Sequence, residues 1–210
     1  MSDTTLTREQ IDAAELADWT FLLGELHARF RTANFATGLQ FVNQVGAAAE
    51  AADHHPDLDL RYGFVDVTLS SHDAHGITNR DIELARTISD VASGLGVGAA
   101  PAEVAAMELA LDTPDFTKIK PFWLAALGYS ANPDSDDEVR DKDGRFPTIW
   151  FQGSGSDEPR QRFHIDIRVP KDVARQRVEA AVAAGGTVVT EAATFTTLQD
   201  GDGNNVCICI

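Results

Sequence analysis

Histidine carries the clearest chemical signal in this 210-residue chain: five of its six, His27, His54, His55, His72 and His75, precede residue 76. Two are adjacent, in Glu50-Ala-Ala-Asp53-His54-His55-Pro56, and His72 closes an alternating run in which Val65, Val67 and Leu69 interleave with Asp66, Thr68 and Ser70. A histidine pair before proline reads on its own as a helix end, because imidazolium suits the negative end of the macrodipole and proline stops the helix. A third histidine at a strand end changes that reading. Helix end and strand end can meet at one sheet edge, gathering three imidazoles that titrate near neutrality. Three histidines can also bind zinc, but adjacent residues rarely aim at one ion, and no nearby carboxylate or cysteine has ligand spacing. General acid–base chemistry is the better reading of His54, His55 and His72. Glu50 and Asp53 precede the pair, and Asp81 follows His72 by nine positions. Tyr62 reads as packing.

These residues need a scaffold. Thr7 with Gln10 has capping-box spacing and opens a helix over residues 7–18. Leu26 to Thr32 reads as a strand, and Phe35 to Ala52 as a helix with Phe35, Leu39, Val42 and Ala49 along one face. Leu60 to Ser71 is the best strand. Thr78 then caps a helix to about Ala92, with Ile82, Ala85 and Ile88 inward. Asp81, the third residue of that helix, can serve simply to bond its start. One-sided alternation implies an antiparallel sheet with helices on one face, an α+β arrangement.

The segment Ser93-Gly-Leu-Gly-Val-Gly-Ala-Ala-Pro101 divides the chain, giving domains over 1–95 and 105–210 with a linker at 96–104. The second half repeats weakly. Glu108 to Pro114 and His164 to Pro170 are strands ending in proline, the prolines 56 residues apart (170 minus 114), each followed by a helix and further strands at Thr148–Gln152, Thr187–Val189 and Val206–Ile210. The acidic stretches Asn132–Arg145 and Asp200–Asn205 lack the EF-hand glycine and read as solvated turns.

Charge limits the partners. Seventeen Lys and Arg against 33 Asp and Glu give −16, and residues 1–100 hold 6 Arg, no Lys and 15 acids, so no basic stripe is available for nucleic acid. No apolar run is long enough to span a membrane, and no secretory signal opens the chain. Cys207 and Cys209 share one strand face, too constrained for an ordinary disulfide, which suits a reducing compartment. A cytoplasmic location is expected.

Glu50, three residues, His54-His55-Pro56, five residues, Tyr62, nine residues, His72, eight residues, Asp81: this pattern resembles the pterin-4a-carbinolamine dehydratases over about residues 5–95. The resemblance implies a 4a-hydroxytetrahydropterin substrate that loses hydroxide from C4a and a proton from N5, giving a quinonoid dihydropterin in pterin cofactor recycling. It implies no cofactor. His54 and His72 become the proton-transfer pair, and His55 holds the ring or shares that work. Glu50 and Asp53 orient imidazoles or bind the amino-pyrimidine edge of the substrate, and Asp81 is a third substrate-side acid. It also implies a homo-oligomer, dimer or tetramer.

The second half resembles the glyoxalase-like, vicinal-oxygen-chelate superfamily, with paired βαβββ modules around a cleft. The residues that carry it are Leu111-Asp112, Phe122-Trp123 and Leu127-Gly128, then Phe163-His164-Ile-Asp166, Ala184-Gly185, Leu198 to Asp200, and Gly203-Asn204. In that superfamily metal ligands come from the first and last strands of each module, places held here by Glu108, Gln152, His164 and Cys207. A thiolate and an amide in one set suit no single common metal. No metal is expected; His164 lines a cleft for an unknown small molecule, and Cys207 packs in the core. Two alternatives to a dehydratase stand beside it: a non-catalytic pterin-binding or dimerisation protein, and an enzyme whose main chemistry lies in the glyoxalase-like half.

Overall fold

The computed structural model describes residues 4–133, 135–154, 163–199 and 205–210, and the chain divides between residues 104 and 105 into two units. In the first unit, Thr7 and Gln10 cap α1 (Arg8–Ala13) reciprocally, as their spacing requires. The helix stops before Asp18, because Glu15 takes a left-handed φ of 51°. β1 (Thr20–Leu22) turns through Leu23 and Gly24, both at positive φ, into β2 (Glu25–Arg31). α2 (Phe35–Ala52), β3 (Asp57–Leu60), β4 (Phe64–Leu69), α3 (Asn79–Gly94) and β5 (Gly98–Ala99) follow. The antiparallel sheet runs β1-β2-β4-β3, with β5 also on β2. Leu26, Ala28 and Phe30 of β2 and Val65, Val67 and Leu69 of β4 are buried in one cluster with Phe41 and Val45 of α2 and Ile82, Ala85 and Ile88 of α3. The fold is α+β.

Three local expectations differ. The run Leu60–Ser71 is the end of β3, a turn, and β4: Arg61 donates its N–H to the Phe64 carbonyl at 2.9 Å. Tyr62, in that turn, is 76% exposed and packs on nothing in the core. The apolar arc of α2 is wider than the sheet can cover, so Phe41, Val45 and Ala49 are buried while Phe35 and Leu39 stay exposed. Finally, residues 96–104 do not hang free. β5 pairs Phe30 with Ala99, and Glu103 in the 3₁₀ turn Pro101–Glu103 forms an ion pair with Arg31.

The other face of this sheet is polar. Arg29 grips Asp66 through two hydrogen bonds of 2.6 Å and lies 4.1 Å over the Phe64 ring. Beside them burial lowers the pKa of His27 below its ordinary 6.5, more than the charge of Asp66 raises it. A depressed basic group binds its proton more readily in the unfolded chain, so its contribution is intact above about pH 6.5 and stability falls as pH drops below it. His27→Gln should therefore lose less stability than the parent between about pH 7.5 and 5.5. Urea midpoints at the two pH values check this, and equal losses would refute it.

The second unit holds β6 (Ala106–Thr113), α4 (Phe116–Leu127), β7 (Ser130–Asn132), β8 (Ser135–Arg140) and β9 (Thr148–Gly153). Then come β10 (Phe163–Arg168), α5 (Lys171–Ala183), β11 (Thr187–Glu191), β12 (Phe195–Gln199) and β13 (Asn205–Cys209). These are two βαβββ modules in one eight-stranded sheet, β11-β12-β13-β10-β6-β9-β8-β7, joined by the antiparallel pair β6–β10. Each module has its own core: Leu111, Val139, Ile149 and Phe151 with α4, and Val169, Ala174, Leu198 and Ile208 around α5. Gly186 belongs to the α5 exit because a Cβ there would sit 2.9 Å from the Ala181 carbonyl oxygen. β8 lies inside the acidic stretch expected as a turn. One buried residue, Val139, anchors it. The 200–204 part of the other acidic stretch lies outside the described residues. Among the described residues, no helix is long and apolar enough to cross a membrane.

Candidate active site

Strand register and a helix end place His54 in the first unit. β3 pairs Asp57 with Thr68 and Leu58 with Val67. Continuing that register past Pro56 sets His54 against Ser71, one residue before His72. α2 ends just upstream, where Asp53 turns left-handed at φ 48° and donates its N–H to the Ala49 and Glu50 carbonyls. A short left-handed exit sends His54 inward and His55 outward. His54 is 7% exposed, and its Nε2 lies 2.7 Å from Asp81 Oδ1.

Asp81 is fully buried and accepts on both oxygens. Oδ2 takes the Thr78 N–H at 2.7 Å, the Ser71 hydroxyl at 2.7 Å and the Thr78 hydroxyl at 3.2 Å, leaving Oδ1 to His54. Asp81 thus caps α3 and holds an imidazole with one carboxylate. An ionised carboxylate only accepts, so in this contact Asp81 pairs with an Nε2–H of His54.

The other expected residues are exposed. His55 Nε2 lies 3.1 Å from Glu50 Oε1. Asp53 contacts no imidazole among the described residues; its backbone conformation is its visible contribution. His72 sits in the turn Ser71–Gly76, closed by the Ser71 N–H on the Gly76 carbonyl. Arg80 bonds Asp73 in the same turn at 2.6 Å, and this pair, together with His54 nearby, holds the Asp73 carboxyl below its usual range.

The second unit has a cleft on the sheet face opposite its helices, a cavity of about 390 Å³ lined by Asp112, Trp150, His164, Asp166, Arg168 and Cys207 among others. Of the four superfamily positions, Glu108 is turned to Arg168, 2.8 Å from its Nε, and Gln152 lines the cavity. His164, Asp166 and Cys207 are the residues that converge: their donor atoms all lie within 4.8 Å of one another. Interactions with Asp166 and with Cys207 push the His164 pKa up to about 10, against its burial. Burial raises Asp166, but His164 outweighs it and the carboxyl titrates below its ordinary range. Burial pushes the Cys209 thiol up to about 12. Both cysteines are buried and free.

The repeat also needs a different alignment. β6 pairs Ala110 with Trp150, and β10 pairs Asp166 with Cys207. Ala110 and Asp166 are repeat equivalents, 56 apart, so the counterpart of Cys207 is Trp150 and not Gln152. Asp166 was missed as a functional residue, although its spacing two after His164 on one strand puts both on one face.

Comparison with known proteins assigns both halves. The family model described as pterin 4 alpha carbinolamine dehydratase matches residues 4–91, and that described as a glyoxalase-like domain matches residues 108–209. A Nocardia farcinica protein named "Putative pterin-4-alpha-carbinolamine dehydratase" is 43% identical over 94 residues, covering 44% of this chain and 99% of its own. One of the same name from Mycobacterium leprae is 45% identical over 87 residues, covering 40% and 93%. Among solved structures, a transcriptional coactivator/pterin dehydratase from Brucella melitensis is 32% identical, covers 42% of this chain and 99% of its own, and has a TM-score of 0.41. A glyoxalase/bleomycin resistance protein/dioxygenase superfamily member from Vibrio splendidus 12B01 is 17% identical, covers 50% and 98%, and has a TM-score of 0.35. Residues 108–209 are similar to the glyoxalase-like domain family, and through residues 4–91 the chain belongs to the pterin-4a-carbinolamine dehydratase family.

Proposed function

We propose that the first unit dehydrates a 4a-hydroxytetrahydropterin to the quinonoid dihydropterin, and that it serves pterin cofactor recycling. The observation that carries this reading is the buried His54–Asp81 contact; His55 follows His54 in the chain, and His72 lies in the turn after β4. His54 takes the N5 proton at Nδ1, and the Asp81 carboxylate behind Nε2 stabilises the imidazolium that forms. The N5–H electron pair becomes the C4a=N5 bond as hydroxide leaves C4a. His72 donates a proton to that hydroxide, so it departs as water. To His55, which contacts Glu50, we assign the positioning of the ring. No metal, nucleotide or electron carrier enters this balance.

Supporting a homo-oligomer, the exposed Phe35 and Leu39 lie one turn apart on α2. The two free thiols of β13 suit the cytoplasm. The test is a steady-state assay of the full chain with carbinolamine generated in place, corrected for spontaneous dehydration. Turnover well above that background is expected; a rate no better than background would end the enzyme reading.

A further inference from the structure

The strongest unassigned feature is the convergence in the second cleft. Asp166 is 6% exposed, and its Oδ2 accepts the Trp150 indole N–H at 3.0 Å. Its Oδ1 is buried with no hydrogen-bond partner. His164 Nε2 is 3.3 Å from that oxygen, but the two are not aligned for a hydrogen bond. A buried carboxylate oxygen without a donor is a standing cost that native proteins rarely carry. Two donor atoms 3.3 Å apart have the spacing of one edge of a coordination polyhedron. Ligands about 2.0 Å from a tetrahedral ion lie about 3.3 Å apart.

Cys207 supplies the third vertex. It is in register with Asp166 on the neighbouring strand, so its sulfur projects from the same sheet face. Thr197 Oγ1 lies 3.3 Å from that sulfur and can donate to it. The indole on Asp166 and this hydroxyl on Cys207 are the kind of outer contacts that orient metal ligands.

The superfamily pattern, taken on position alone, selected Glu108, Gln152, His164 and Cys207, a mixture that suits no single metal. The structure changes that set. Glu108 is occupied by Arg168, and Gln152 corresponds through the registers to Cys209. Asp166 takes their place, and a carboxylate, an imidazole and a thiolate form a coherent set.

We propose that His164, Asp166 and Cys207, all from the second βαβββ module, bind a zinc ion with its remaining position open to the cavity. Two anionic donors neutralise the dication, and the thiolate favours zinc over magnesium or manganese. Three protein ligands with an open position are the arrangement of zinc sites that bind exchangeable ligands.

The experiment uses the full chain, stripped with chelator and reloaded with zinc, cobalt(II), manganese or magnesium, then passed through gel filtration. Roughly one zinc per chain should be retained, and neither manganese nor magnesium. The cobalt form should show a near-ultraviolet thiolate-to-cobalt band. Cys207→Ser should abolish that band, while Cys209→Ser keeps it. Asp166→Asn, close to isosteric, should weaken zinc binding by about tenfold or more. Circular dichroism on each variant separates ligand loss from unfolding. If Cys207→Ser fails to fold, zinc retention by Asp166→Asn and His164→Ala decides the matter. No zinc retained by the folded parent, retention of manganese in its place, or a cobalt spectrum indifferent to Cys207→Ser would each overturn the proposal. Dehydratase turnover does not enter these readouts, so they stand apart from the pterin chemistry.

Discussion

Replacing His54 with alanine should lower carbinolamine turnover by roughly 10²–10⁴, the usual worth of a positioned proton-transfer group. KM should change less than kcat, since proton transfer is felt mainly in the transition state. His72→Ala should act in the same direction. The two variants differ structurally: His54 is packed against Asp81 and His72 is exposed, so only the first should also lose stability. His164→Ala, in the other unit, should leave the rate within about twofold. A His54→Ala enzyme with parental turnover would remove His54 from the chemistry. A large loss confined to His164→Ala would move the reaction to the second cleft.

Replacing Asp81 with alanine should be the most damaging single change to the first unit, costing roughly 3–5 kcal/mol. Four polar groups lose their acceptor at once: the Thr78 N–H and hydroxyl, the Ser71 hydroxyl and the His54 ring. The Ser71 and Thr78 hydroxyls, 2.9 Å apart, can still bond each other, but each buried group left without a partner carries its own desolvation cost. Asp81→Asn separates the two roles. Its carbonyl can still accept from the helix start, which preserves much of the stability. Its amide cannot both do this and accept from Nε2, so the proton on His54 is no longer directed and turnover should drop about tenfold or more. Urea unfolding and steady-state rates on the two variants check this. Parallel losses of stability and rate in both would reduce Asp81 to a cap.

Much of this site was legible before any coordinates. The spacing of His54, His55 and His72 is a property of the sequence, and so is the capping geometry of Thr78 with Asp81. The joint between them was not. That one carboxylate serves both the α3 start and His54 depends on β3–β4 register, and register is set by a turn at Arg61–Gly63 that an unbroken alternating pattern conceals. A different cause hid β8, whose acidic residues read as a solvated turn and leave Val139 as its single buried anchor. In α2, apolar spacing could not say which part of a wide arc would face the sheet. Asp166 was the largest omission. Position along a repeat selected Gln152 as the partner of Cys207, and only the parallel registers of β6–β9 and β10–β13 show that Trp150 holds that place.

The antiparallel seam between β6 and β10 has a consequence for how the second cleft could arise. Asp166 faces Glu108 across it, as two copies of one strand would face each other across a dyad. Two identical modules meeting this way as separate chains would form an isologous dimer, bound to present every residue twice. Covalent tandem linkage lifts that constraint. One half can keep an arginine-bound glutamate and an indole while the other gathers imidazole, carboxylate and thiol. The lopsidedness of the cleft is thus a freedom conferred by fusion, and one that a symmetric ancestor of the same architecture would lack.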